Sequence, residues 1–320
     1  MKVLVAGATG AIGRPLIAAL IRGGHRAVGM TTTESGLGRL REAGAEGIVA
    51  NVLDAEAVKS AVSRIRPDAV IDELTSLPRH YTPEAMRAAA PDDRRVRLEG
   101  GGNLHNAARA AGAKRYVVQS TGFFYAPGSG LAAETEPLAL DASPAIAASV
   151  RTYTQIEGRV LGASDVKGVA LRYGFFYGPG TYHDPASGSI SQQVREQKYP
   201  VIGAGSGVSS FVHVEDAASA TVAALEAEPG IYNIVDDDAC AMARWLPAFA
   251  LALGAPAPAH ISAEEALRTA GEDAVYYALR LRGASNGRAK RQLGFRPRRL
   301  EWLSGSETES GAPTHGKAQG

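Results

Sequence analysis

Along residues 1–175, short apolar runs alternate with longer stretches whose apolar residues recur at helical spacing. KVLVAG, from Lys2, is the first such run, and Ile12, Leu16 and Leu20 share one face of the helix predicted after it. HRAVGM, GIVANV, DAVIDEL, KRYVVQS and, after a longer interval, VALRYGF repeat the strand pattern. Strands separated by helices predict a parallel sheet covered on both faces. Crossovers of that kind are right-handed, so the expected fold class is α/β, a Rossmann-type doubly wound parallel sheet.

Beyond Phe176 the pattern loosens. YGPGTYHDPASGSIS has the Gly, Pro and Ser content of a loop beside a ligand. FVHVEDAASATVAALEA predicts a short strand and a helix, and GIYNIVD a further strand that can rejoin the sheet. The expected organisation is a doubly wound first domain over residues 1–177, to which 208–237 return. Residues 178–207 and 238–303 then form a smaller C-terminal substrate-binding region, and 304–320 a disordered tail with almost no large apolar residue.

Composition narrows the functional classes. A net charge of +1 over 320 residues gives no bulk attraction to nucleic acid or an anionic membrane. The single cysteine, Cys240, excludes an internal disulfide and a cysteine-rich metal site. No pair of histidines has spacing with carboxylates that calls for a metal. The longest apolar stretch, WLPAFALALGAPAPA, is broken by prolines and falls short of the ~20 residues of a membrane span. A cytoplasmic protein is expected.

The first strand runs into GATGAIGRPL, in which Gly7, Gly10 and Gly13 are spaced GxxGxxG. A glycine at the tight turn, one where the backbone approaches a pyrophosphate and one where helix meets strand make a dinucleotide cradle. The helix N-terminus offers free N–H groups and partial positive charge to the phosphates. Gly7, Thr9, Gly10, Ala11, Ile12 and Gly13 are therefore candidate cofactor-binding residues. The second strand ends in Val28-Gly29-Met30-Thr31-Thr32-Thr33, with no acid before Glu34 to hold a free ribose 2′-hydroxyl. The hydroxyls of Thr31, Thr32 and Thr33, with Arg39 nearby, suit a 2′-phosphate, so NADP(H) is favoured over NAD(H).

GATGAIG, ANVLD at the third strand, EGGGNLHNAARAAGAKRYVVQST, LRYGFFYGPG, FVHVEDAASA and AKRQLGFRPRRLEW follow one another in order. In that order they resemble the extended short-chain dehydrogenase/reductase superfamily, which includes nucleotide-sugar epimerases and dehydratases. The resemblance implies that Asn51 and Val52 border the adenine, and that Leu74 and Thr75 pass beneath the cofactor. It places Thr121 where the family's Ser or Thr bonds a substrate oxygen, and Phe175 and Phe176 near the nicotinamide. Arg97 falls near the position of a family asparagine.

The family's acid/base pair is a tyrosine and a lysine four residues later, one helical turn apart. The ammonium lowers the phenol's pKa so that it can trade a proton near neutrality. Here the matching stretch is SVRTYTQIEGRVL, Ser149 to Leu161, without a lysine. Two registers are open. Either Tyr153 is the family tyrosine and Glu157 replaces the lysine, or Ser149 and Tyr153 fill the tyrosine and lysine slots and Glu157 matches a family acid further on. The second leaves the helix room before the strand at Val169-Ala170-Leu171. In both the pair is broken, so Thr121, Tyr153 and Ser149 are the candidate catalytic residues, with Tyr153 also a candidate cofactor contact at the nicotinamide ribose.

The functional expectation is an NADP(H)-dependent ketone or aldehyde reductase, acting on a small-molecule carbonyl without the usual relay. A nucleotide-sugar epimerase or dehydratase, for which Arg280, Arg282 or Arg288 would grip a pyrophosphate, and a non-catalytic NADP-binding sensor remain the alternatives. The resemblance also leaves a homodimer open.

Overall fold

The computed structural model describes residues 1–304; the expected disordered tail lies, but for its first residue, outside the described residues. The first half alternates strictly: β1 (Lys2–Ala6), α1 (Gly13–Arg22), β2 (Arg26–Thr31), α2 (Glu34–Glu42), β3 (Glu46–Val49), α3 (Ala55–Ile65) and β4 (Ala69–Asp72). Next come α4 (Pro83–Arg95), a π-helical segment (Val96–Gly100), α5 (Gly101–Ala110), β5 (Arg115–Thr121), α6 (Pro144–Leu161) and β6 (Lys167–Tyr173). The later part contains β7 (Phe175–Tyr177), α7 (Ser189–Arg195), β8 (Val201–Ile202), β9 (Val208–Ser209), β10 (Phe211–His213), α8 (Val214–Ala223) and β11 (Gly230–Ile234). It ends with β12 (Cys240–Ala241), α9 (Met242–Ala252), β13 (His260–Ile261), α10 (Ala263–Thr269), α11 (Glu272–Leu279), α12 (Gly287–Leu293) and α13 (Glu301–Ser304).

Seven strands form the central sheet in the order β11-β6-β5-β4-β1-β2-β3, and all of its pairs are parallel. Buried on both faces, the inner strands read as nearly continuous apolar runs, which is why β1 is KVLVA and β4 AVID. One face packs on α1 and α8 through Leu16, Ile17, Leu20, Val214 and Ala217. The other packs on α3, α5 and α6 through Val58, Val62, Leu104, Ile156 and Val160. Full burial of each large aliphatic among them contributes about 2 kcal/mol.

β1 leads to β2 and then β3 on one side, whereas β4 lies on its other side. That reversal opens a crevice at the carboxyl ends of β1 and β4, the position at which open α/β sheets bind ligands. Since the strands are parallel, the residues following each of them line the same edge. Gly7, Thr31, Asn51, Glu73, Thr121 and Phe175 are thereby brought together from six separate segments.

The expected strand at GIYNIVD joins the sheet edge beside β6. The short pairs β7 with β10, β8 with β13 and β9 with β12 lie outside the sheet. They surround an apolar cluster that includes Phe211, Trp245, Phe249, Trp302 and the buried Cys240.

Candidate active site

The glycine cradle is built as the spacing requires. Gly7 turns with φ of 78°, in the left-handed region that a side chain resists. A Cβ there would stand 2.4 Å from the Glu73 carbonyl oxygen, and one on Gly13 would stand 2.2 Å from that of Gly7. The turn closes by a hydrogen bond from the Gly10 amide to the Gly7 carbonyl, at 3.0 Å. α1 starts at Gly13 with no side-chain cap and no acid in its first turn. Its uncapped N–H groups and partial positive charge fit the pyrophosphate of a dinucleotide.

At the end of β2 the three threonines take different roles. Thr31 is buried against the first turn of α2, where a Cβ on Gly36 would clash with its hydroxyl. The Thr33 hydroxyl accepts from the Gly36 amide at 3.1 Å and caps α2. Thr32 and Arg39 are exposed, so these two side chains remain free to face a ribose phosphate.

Asn51 and Val52 follow β3, where Asn103 donates to the Val52 carbonyl at 2.9 Å and fixes the loop. Leu74 is buried and its amide donates to Asp72 Oδ1, whereas Thr75 is exposed. Behind this segment the Tyr173 hydroxyl donates to Glu73 Oε1 at 2.9 Å, and Glu73 Oε2 is buried without a partner among the described residues. Burial is the main cause that raises the Glu73 pKa to about 8; the bond from Tyr173 works against it.

Helix α6 carries the other half of the site. Ser149 donates its hydroxyl to the Ala145 carbonyl of its own helix at 3.1 Å. One turn on, the Tyr153 phenol has no hydrogen-bond partner among the described residues, and burial raises its pKa, opposed by the charge of Arg97. A phenol held in that range does not serve as a base near neutrality. A further turn on, Glu157 is drawn into the fold. Arg172 Nε and Nη2 each donate to it at 2.7 Å, and Ser120 at 2.6 Å. Its carboxylate is spent on this buried pair rather than offered to the crevice.

Thr121 ends β5 with a buried hydroxyl that has no partner among the described residues. Two residues on, Phe123 stacks on Phe175 with ring centres 4.3 Å apart and planes at 13°. Tyr277 of α11 stands 6.4 Å from Phe123 and 6.1 Å from Phe175. Phe124 links this aromatic wall to Tyr153 at 6.4 Å. Phe176 turns away, packing on Tyr173 at 5.1 Å. The family resemblance pointed to Phe175 and gave no role to Phe123.

Two of the three arginines available for a substrate pyrophosphate are engaged elsewhere. Arg282 donates to the Gly130 and Ser129 carbonyls and to Glu136. Arg288 lies over the Tyr232 ring at 4.5 Å and donates to Gln292.

A parallel sheet with a glycine cradle at its switch point defines a Rossmann dinucleotide-binding protein. The chain belongs to the NAD dependent epimerase/dehydratase family, whose sequence model matches residues 3–235, and with it to the extended short-chain dehydrogenase/reductase superfamily. A Streptomyces protein named 3-diazoavenalumate denitrifying reductase is 43% identical over 310 residues, which cover 95% of this chain and 99% of the relative. The Thermus thermophilus UDP-glucose 4-epimerase, solved with NAD, is 28% identical with a TM-score of 0.68, covering 93% of this chain and 94% of that one. The Thermotoga maritima UDP-glucose 4-epimerase, at 22% identity and a TM-score of 0.73, shares the fold over 94% of this chain and 95% of its own. The family and the reductase relative make this chain an NAD(P)-dependent oxidoreductase-type enzyme. No helix of the described residues is long and apolar enough to cross a membrane.

Proposed function

We propose that the chain is an NADP(H)-dependent reductase that passes hydride to a small, flat aromatic substrate. The observation that carries this reading is the state of α6. Ser149 bonds its own helix, Tyr153 is a phenol held above its ordinary range, and Glu157 is locked to Arg172. An epimerase or dehydratase must remove a hydroxyl proton reversibly before hydride moves, and none of these groups can do so. A reduction needs only that hydride reach an electrophile.

The reduced nicotinamide, when bound, supplies the hydride. The chain's residues do the rest. Gly7, Gly10 and Gly13 let the backbone close on the pyrophosphate, with Thr9, Ala11 and Ile12 completing the loop. Thr32 and Arg39 face the 2′-phosphate that favours NADP(H), while Asn51 and Val52 border the adenine. Leu74 and Thr75 run beneath the cofactor. Phe123, Phe175 and Tyr277 hold the substrate ring by stacking, and Thr121 offers its unpartnered hydroxyl to the substrate's polar group.

The name of the Streptomyces relative suggests the electrophile, a diazo group lost on reduction. An arenediazonium that accepts one hydride leaves as the arene and dinitrogen, so charge and atoms balance with no oxygen to protonate. That chemistry asks nothing of the missing lysine. A ketone or aldehyde is the second reading, favoured by the orphaned Thr121 hydroxyl, which suits a carbonyl oxygen. Its proton would come from water or from Tyr153.

The test is NADPH oxidation by the purified protein with aromatic diazonium salts, aromatic ketones and aldehydes, and UDP-glucose. Consumption with a diazonium or carbonyl substrate supports the reading. Interconversion of UDP-glucose without net oxidation would replace it by the epimerase, and binding without turnover of any of them by the sensor.

A further inference from the structure

The π-helical segment Val96–Gly100 interrupts the run from α4 to α5 and turns Arg97 inward. Such a bulge re-aims one side chain and is common at functional positions. Arg97 is only 5% exposed. Its guanidinium carbon lies 5.1 Å from the centre of the Tyr153 ring, over its face. Its Nε donates to Asp93 Oδ2 at 2.7 Å, and neither Nη group makes a hydrogen bond among the described residues. Asp93 in turn accepts from the Ser76 amide at 2.7 Å and so ties the assembly to the loop that follows β4. Arg97 also interacts electrostatically with Asp72 and Glu73, at the carboxyl end of β4. The cation therefore stands between that strand end and Tyr153, at the crevice where the sheet reverses.

The side chain is buried, but its two Nη atoms are not among the fully buried atoms left without a partner, so these donors open outward to meet an acceptor. The crevice is the place from which one can come. We propose that Arg97 supplies, from the π-helical segment, the buried cation and N–H donors to the nicotinamide ribose that α6 lacks, with Tyr153 as the platform beneath it. The inference rests on the dinucleotide reading above and deepens it. A cofactor ribose presents two vicinal hydroxyls, which match the two free Nη groups of one planar fork. The fixed charge also disfavours the cationic oxidised ring relative to the neutral reduced one, which favours binding of NADPH and release of NADP⁺. Asp93 holds the fork in place and acts as a positioning residue.

The experiment is calorimetric titration of full-length wild type, Arg97→Lys and Arg97→Gln with NADPH, NADP⁺ and 2′,5′-ADP, which lacks the nicotinamide ribose. The expected result is a loss of about tenfold or more in NADPH affinity for Arg97→Gln, the size of one charged hydrogen bond. Arg97→Lys should restore most of it, 2′,5′-ADP should bind all three alike, and the preference for NADPH over NADP⁺ should shrink in Arg97→Gln. Equal NADPH binding by wild type and a folded Arg97→Gln overturns the proposal. Failure of wild type to bind NADPH or 2′,5′-ADP overturns the NADP(H) reading instead. If Arg97→Gln does not fold, hydrogen exchange on wild type decides. NADPH, but not 2′,5′-ADP, should protect residues 95–100, and identical protection by the two overturns the proposal.

Discussion

Glu157 and Arg172 meet side on, Nε to Oε1 and Nη2 to Oε2, each at 2.7 Å, with both side chains almost fully buried. The pair ties α6 to β6, and Ser120 of β5 completes it. A carboxylate held this way belongs to the fold. Removing one partner of a buried pair strands the other charge, at a cost of about 3 kcal/mol or more. Urea unfolding of Glu157→Gln should show a loss of that size, while NADPH affinity of the remaining folded protein stays near wild type. A stable Glu157→Gln that has lost cofactor binding would instead put Glu157 in the crevice.

Thr121 of β5 and Tyr153 of α6 are the residues proposed to meet the substrate. Thr121→Val should slow turnover about tenfold, the worth of one hydrogen bond to a polarised group. Tyr153→Phe should cost less with a diazonium substrate, which needs no proton, than with a ketone. Steady-state rates for the two single variants and the double variant check this, and unchanged turnover in all three would remove both residues from the reaction.

Arg39 is exposed in the last turn of α2, the helix that follows β2 and Thr32. Arg39→Ala should weaken NADPH by about tenfold, the loss of one charge-assisted phosphate contact, and leave NADH unchanged. Parallel titrations decide, and an equal effect on both nucleotides would count against a 2′-phosphate site at this strand end.

Glu73 has its pKa raised to about 8 by burial. A carboxyl whose folded pKa exceeds its unfolded value keeps its proton preferentially in the folded state. Its contribution is fully present below the unfolded pKa and is lost as pH rises through the folded one. Stability should therefore decline from mildly acidic pH to about pH 9, more steeply in wild type than in Glu73→Gln. Thermal melts of the two proteins across that range measure it, and parallel curves would contradict it.

The sheet and its cradle were legible because they rest on local rules. Continuous apolar runs mark buried parallel strands, and Gly7 must be glycine to turn with positive φ. The fate of Ser149, Tyr153 and Glu157 was half legible. The absent lysine is visible in the sequence, but the capture of Glu157 by Arg172 depends on how α6 lies against β6. The Phe123–Phe175 stack joins residues from separate segments and has no periodic signature. Arg97 was visible only as a departure from a family asparagine. That it reaches Tyr153 depends on the π-helical turn, for which the sequence carries no marker. Thr31 and Thr33 read as phosphate ligands because their hydroxyls were counted before their helix-capping and packing roles could be.

The most direct measurement of the central claim is a single-turnover reaction of the protein with NADPH deuterated at the transferred position and an aromatic diazonium or ketone. The expected result is oxidation of the cofactor and deuterium in the product, on the carbon that lost nitrogen or on the carbinol carbon. Cofactor that stays reduced with every such acceptor, while UDP-glucose is converted to its epimer, would contradict it.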